Sequence, residues 1–200
     1  MKQSVIYLLV FALGVVLALF GVMPEALLDD AISKWVLYVL LFFVGIQIAS
    51  SKDVFSIIRS YGFKIALVPI ATTIGTFAGV AVVSLFLSHR SLTDCLSVGG
   101  GFAYYSLSSI LISEYRGAEL GTVALLANIM REFVVLIFAP WLVRYFGKLA
   151  PICAGGATTM DTTLPVITQF SGTEYVVIAL FHGMIIDFSV PLWVSFFLSF

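Results

Sequence analysis

An all-α membrane protein, with about five transmembrane helices and two opposed re-entrant or broken helices, is the fold class this sequence predicts. Three observations predict it. Hydrophobic residues make up 61% of the 200, charged residues only 10%, and the mean hydropathy is +1.13, whereas a soluble domain carries about 25% charged residues. Five stretches are long and apolar enough, or nearly so, for a helix of roughly 20 residues to cross the hydrocarbon layer. Two further apolar stretches are interrupted by glycine runs, which weaken a continuous helix. The net charge of −1 and the lack of a basic run argue against a nucleic-acid partner, so the lipid bilayer is the expected surroundings.

The first span is Val5–Met23. Lys2 before it imitates a secretory signal, but the run exceeds the 7–15 residues of a signal core and no A-x-A-like site follows. The other spans are Ile32–Ala49, Lys64–Leu87, Leu120–Val143 and Tyr175–Phe200. Between them lie Asp94–Ser113, which contains Gly99, Gly100 and Gly101, and Pro151–Gln169, which contains Gly155, Gly156, Asp161 and Pro165. The positive-inside rule chooses between treatments of these two. If both cross, Lys2, Lys52, Arg59, Lys64 and Arg116 are inside, against Lys34, Arg90, Arg144 and Lys148 outside. If both return to the side they entered, Arg144 and Lys148 move inside and Arg116 outside, six against three. The second arrangement is preferred, with the N-terminus cytoplasmic and the C-terminus outside. Cys95 and Cys153 have no metal-ligand spacing and read as packing residues; neither a metal nor a cofactor is expected.

A shift of 55 residues brings polar landmarks into register. Gly100-Gly101 falls on Gly155-Gly156, Gly117 on Gly172, Glu119 on Glu174, Glu132 on Asp187 and Phe133 on Phe188. Residues 99–133 and 154–188 therefore form a candidate internal repeat within one transmembrane domain, 1–200. In the preferred topology the units are inverted, the arrangement many secondary transporters build around a midplane site. The alternative is two similar hairpins with no symmetry relation.

An ionisable group at a helix centre costs roughly 2.5–3.5 kcal/mol on insertion scales, so it needs a partner or a purpose. Arg131, Glu132, Asp161 and Asp187 are four such residues. Asn128 lies four before Glu132 and shares its face. Asp161 stands in GGATTMDTTLP, where Thr158, Thr159, Thr162 and Thr163 offer hydroxyls to unwound backbone or to a cation. The facing stretch, GGGFAYYSLSS, offers Tyr104, Tyr105, Ser106, Ser108 and Ser109. A carboxylate in such a break holds a proton or an ammonium group; the tyrosines offer aromatic faces to a cation or form an interfacial belt; and Arg131 or the hairpin backbone, with its helix N-termini, meets a substrate carboxylate. The structural alternative is a buried ion pair of Arg131 with Asp161 or Asp187. His182 is a proton relay or a histidine satisfied by a neighbour. No nucleophile elbow, H-E-x-x-H or phosphate loop is present, so the chain does not read as an enzyme. The residues alone leave a transporter, a cation/proton antiporter and a non-transporting membrane subunit open.

The segments LLFFVGIQIASS, SVGGGFAYYSLSSILISEYRG, ANIMREF and CAGGATTMDTTLPVITQFSG, then FHGMI and VPLWVSFF, closely resemble the bacterial lysine exporter (LysO) family over nearly the whole chain. The resemblance implies an inner-membrane exporter of L-lysine and analogues such as thialysine, driven by exchange with protons. It implies two essential intramembrane acids, which fall on Glu132 in MREF and Asp161 in TTMDTTLP. Family members carry an extra N-terminal membrane segment, which implies a small membrane subunit or a homodimer partner here. The family has an apolar residue where Asp187 stands, so Asp187 rests on the 55-residue repeat alone.

Overall fold

The computed structural model describes residues 62–87 and 89–200, with 13, 14, 16, 17 and 19–21 besides. The predicted spans Val5–Met23, apart from those few positions, and Ile32–Ala49 lie outside the described residues, as do Lys2, Lys34, Lys52 and Arg59. Residues from Gly62 onward belong to one compact unit, Ile58–Phe200. All regular structure among the described residues is helical.

A 3₁₀ turn, Gly62–Ala66, leads into α1, Leu67–Ser84. Pro69 sits in its first turn, where no intrahelical N–H is needed. Helix α2, Leu92–Gly99, starts at Ser91, whose hydroxyl accepts from the Asp94 N–H at 3.0 Å, a side-chain cap of the first turn. It ends on the glycine run, and after the break α3 spans Tyr105–Arg116. Helix α4, Ala118–Phe146, has 29 residues and is about 43 Å long at 1.5 Å per residue. Helix α5, Ala150–Gly155, is followed by a 3₁₀ segment, Gly156–Met160, and by α6, Leu164–Ser171. A last 3₁₀ turn, Thr173–Tyr175, enters α7, Val176–Leu198.

Three of the five predicted spans fall on helices long and apolar enough to cross a membrane: Lys64–Ser84, Ala118–Phe146 and Thr173–Leu198. Their outward faces carry Leu67, Ile70 and Ile74, Met130, Phe138 and Trp141, and Phe188, Leu192 and Phe196, all exposed. A surface this apolar fits lipid and not water.

Both glycine-interrupted stretches are broken helices, and ion pairs define their course. Asp94 at the start of α2 meets Arg116 at the end of α3, with Arg116 Nε 3.3 Å from Asp94 Oδ1. Arg90, just before α2, pairs with Glu119 at the start of α4. The α2–α3 unit therefore leaves from, and returns to, one end of α4. Lys148, just before α5, reaches Glu174, just after α6, at 3.0 Å. The α5–α6 unit is thus a hairpin at the other end of α4. Gly117 and Gly172, with φ of 89° and 113°, provide the left-handed residue where each hairpin turns into the next helix.

The two tips meet between the long helices. The Ala157 N–H donates to the Phe102 carbonyl at 2.9 Å. Phe102 and Ala157 share one buried cluster with Ile112 of α3, Leu120 and Ala124 of α4, and Ile186, Val190 and Val194 of α7. Phe77 of α1 packs edge-on against Phe102 and Trp193, at 5.5 and 5.1 Å between ring centres. Gly121 lets α4 close on α3: a β-carbon there would lie 2.8 Å from the Ser109 carbonyl oxygen.

Candidate functional site at the meeting of the two hairpin tips

Breaking a helix inside an apolar bundle frees backbone groups that need partners, and side chains here supply them. In the first tip, Phe102 and Ala103 have φ of 44° and 72°, a conformation non-glycine residues rarely adopt. Asn128 of α4 holds it: its Oδ1 accepts from the Ala103 N–H at 2.8 Å, and its Nδ2 donates to the carbonyls of Val98 at 3.2 Å and Ala124 at 2.9 Å. Thr158, Thr159 and Thr163 serve the second tip, donating to Gly155 O, Gly156 O or Ala179 O, and Thr158 O, each at 2.9 Å.

Arg131 also serves the second tip. Its Nε donates to Ala154 O at 2.8 Å and its Nη2 to Cys153 O at 3.1 Å, at the carbonyl end of α5. Nη2 further reaches Thr76 Oγ1 of α1 at 3.2 Å, and the guanidinium stands 5.3 Å from the centre of the Phe102 ring. Free carbonyls at a helix end attract a cation, and the planar fork serves two of them at once. The buried ion pair with Asp161 or Asp187 is not formed: the three ion pairs among the described residues do not include Arg131. The residue lines a cleft of about 450 Å³ with Thr72, Thr76 and Cys153, on the α1 side of α4.

Glu132 points elsewhere, because adjacent helical positions lie about 100° apart. It sits midway along α4, and its carboxyl lies towards the Thr162 side chain and within electrostatic reach of Asp161. Asp161 Oδ1 in turn accepts from the Thr162 N–H and lies 3.3 Å from the Thr162 hydroxyl. Thr162 therefore stands between the two acids. Asp187 of α7 is likewise an electrostatic neighbour of Asp161. Tyr105 lies within electrostatic reach of Glu132 and Asp161, and Tyr104 within reach of Asp187 and Asp161. Glu132, Asp161, Asp187, Tyr104 and Thr162 are thus brought together beside the first turn of α3, where Ser106 is exposed.

The model of the family described as "Lysine exporter LysO" matches residues 8–198. The chain belongs to the lysine exporter family. It is 32% identical over 168 residues to the lysine exporter LysO of Escherichia coli strain K12, covering 82% of this chain and 54% of that protein. It is 33% identical over 171 residues to a putative lysine exporter of Haemophilus influenzae, covering 83% of this chain and 84% of that one. The chain thus spans about half the length of the first relative and most of the second. No solved structure matches.

Within this lysine exporter family chain, the remaining candidates hold the breaks in place. Asn128 and Thr159 are buried and occupied in holding the tips. Gly99, Gly100, Gly101, Gly155 and Gly156 lie at the breaks; a β-carbon on Gly99 would come within 2.6 Å of Val80 Cγ2 of α1. His182 is fully buried, with Nε2 2.9 Å from Thr72 Oγ1 and Nδ1 3.2 Å from Thr159 Oγ1. It ties α1 to α7 and to the second tip through hydroxyls, and does not touch a carboxylate. Sequence reasoning missed Thr72 and Thr76 as partners; the available signal was three threonines within five residues of an otherwise apolar span. Thr72→Val leaves a buried ring nitrogen unpaired, and is expected to cost about 1–3 kcal/mol. A lowered melting temperature with unchanged proton coupling is the expected readout; altered coupling would make His182 a relay.

Proposed function

We propose that this chain exports L-lysine, and analogues such as thialysine, across the bacterial inner membrane in exchange for protons. The observation that carries the reading is the convergence of Glu132 and Asp161 on Thr162 where the two hairpin tips meet. A threonine hydroxyl has a single proton. It donates to one carboxylate and, when it bridges both, accepts from the other, which must then be protonated. Such a bridge holds one proton for the two acids. Losing it leaves two like charges in a poorly solvated place, which favours uptake of a cation. A lysine ammonium group is such a cation, and proton and substrate then occupy the site in turn. The N-terminal turn of α3, with its unpaired N–H groups, receives the substrate carboxylate; Arg131 is committed to Ala154 and Cys153 and holds the tip in place.

In this reading the broken helices are re-entrant hairpins on opposite sides of the bilayer, and residues 99–133 and 154–188 are an inverted repeat. Register mates with matching roles support it. Glu119 and Glu174 each pair with a base ahead of their own hairpin. The carbonyls of Ala124 and Ala179 each accept from a side chain that holds a tip, Asn128 and Thr159. With the N-terminus cytoplasmic, Glu119 faces outside and Glu174 the cytoplasm. Single cysteines at these positions, with Cys95 and Cys153 replaced, are expected to react with an impermeant thiol reagent from opposite faces of the membrane. Labelling of both from one face rules the topology out.

Transport is tested in proteoliposomes loaded with labelled lysine. A gradient acidic on the side that receives lysine accelerates release, and its collapse by a protonophore slows it. Release indifferent to the gradient removes the antiport. Sodium competing where lysine does not would make the protein a cation antiporter, and no flux at all would leave a membrane subunit.

A further inference from the structure

Asp187 is not needed for the exchange just described, yet it stands in the same place. Its position follows from packing as well as charge. Helix α7 closes on the second tip at Gly183, where a β-carbon would come within 2.7 Å of the Met160 N–H and 2.8 Å of Met160 Cβ. Residue 187 is one turn further along the same face, which sets its carboxylate beside Asp161, the residue after Met160. Tyr104 packs into the cluster that contains Ile186 and Val190, the neighbours of Asp187 on α7.

The acids share one neighbour. Glu132 and Asp187 come from different long helices and each has Asp161 as its electrostatic neighbour. Tyr105 accompanies the Glu132 side of Asp161 and Tyr104 the Asp187 side. Asp161 on the second tip is therefore common to two acids from different long helices, Glu132 of α4 and Asp187 of α7, with a tyrosine within electrostatic reach of each. Arg131, the cation nearest in sequence, is turned to the carbonyls of α5. A compact monovalent cation uses one side of such a site. A flexible chain with an ammonium group at each end uses both, each group meeting a carboxylate and a ring face.

We propose that Asp187, with Tyr104, is a specificity determinant that makes this site select dications, so that unbranched α,ω-diamines with lysine-like spacing are substrates alongside lysine. The inference rests on the transport reading above. Lysine presents the same two ammonium groups with an added carboxylate, and a diamine lacks only the group that meets the α3 N-terminus.

The test is competition in proteoliposomes of the full chain, with 1,5-diaminopentane and 1-aminopentane set against labelled lysine. In the wild type the diamine competes, is itself transported, and is preferred over the monoamine by about a hundredfold, as befits a buried charge pair gained or lost. In Asp187→Asn that preference collapses to within about threefold; Asp187→Glu restores it, and Tyr104→Leu, which removes the ring face, reduces it in part. Lysine release with no competition by the diamine in the wild type overturns the inference and leaves the exporter reading intact. So does a preference that survives Asp187→Asn. Absence of lysine release overturns the exporter reading instead. Should Asp187→Asn fail to fold, the wild-type competition and Tyr104→Leu still decide.

Discussion

Glu132→Gln and Asp161→Asn are each expected to abolish lysine release driven by a pH gradient, lowering it by about a hundredfold or more, while the protein still folds. Both changes keep size and hydrogen-bonding capacity and remove charge and titration together. The site loses its carboxylate for an ammonium group and its place for a proton in one step. Glu132 and Asp161 are half-buried, and removing one partner of a hydrogen-bonded charge pair costs at most about 2–5 kcal/mol, a factor of roughly 30 to several thousand. The fate of Thr162 separates the two positions. Its hydroxyl lies 3.3 Å from Asp161 Oδ1, and its N–H donates to the same oxygen, so Asp161→Asn puts an amide into the second tip. Glu132 meets Thr162 from α4, and Glu132→Gln leaves the tip's own bonds in place. Glu132→Gln should therefore match the wild type in melting temperature, and Asp161→Asn should fall slightly below it. Residual flux in either variant should ignore the direction of the gradient. Gradient-driven release at wild-type rate in either one removes the two-acid mechanism.

Gly156→Ala is expected to prevent the protein from accumulating in a folded form. Gly156 has a φ of 62° and a ψ of −129°, a region open to glycine and strained for other residues. A β-carbon there would also run into the Phe102 carbonyl oxygen, with the Phe102 carbonyl carbon 2.9 Å away. Both obstacles are backbone, at the point where the two tips touch, so the added carbon cannot be accommodated by a change of rotamer. The conformational and overpacking penalties together amount to about 3 kcal/mol or more, a large part of the stability of a domain. Gly75→Ala is the control, since a β-carbon at Gly75 meets nothing within 4 Å. Gly156→Ala melting alongside Gly75→Ala would mean that the tips do not meet as described.

Much of this was legible in the chain. Three predicted spans coincide with long apolar helices, because the hydrocarbon layer sets a length and a composition that can be read without neighbours. The glycine runs announced both breaks, because glycine weakens a helix wherever it stands. The cost of an unpaired charge in lipid singled out Glu132, Asp161, Arg131 and Asp187. Arg131 shows where that reasoning stopped. Its cost in lipid is met by carbonyls, and a carbonyl freed by a break has no signature in the sequence beyond the glycines themselves. The threonines around Asp161 read as partners for unwound backbone or for a cation, and Thr159 takes the first part, bonding the second tip and α7; Asn128, on the face of Glu132, bonds the first tip and α4.

What the sequence determined by itself was the class of solvent, the position of the helices and their breaks, and the list of polar residues that needed an explanation. These are local properties, fixed by composition along the chain. Only the tertiary structure decided which of those residues face one another. Helical periodicity sets the angle between Arg131 and Glu132, but not which neighbour waits at either azimuth. That choice followed from two hairpins that open at opposite ends of α4 and touch at Phe102 and Ala157. It turned Arg131 towards α5 and Glu132 towards Thr162, and it brought two carboxylates from distant helices within electrostatic reach of Asp161.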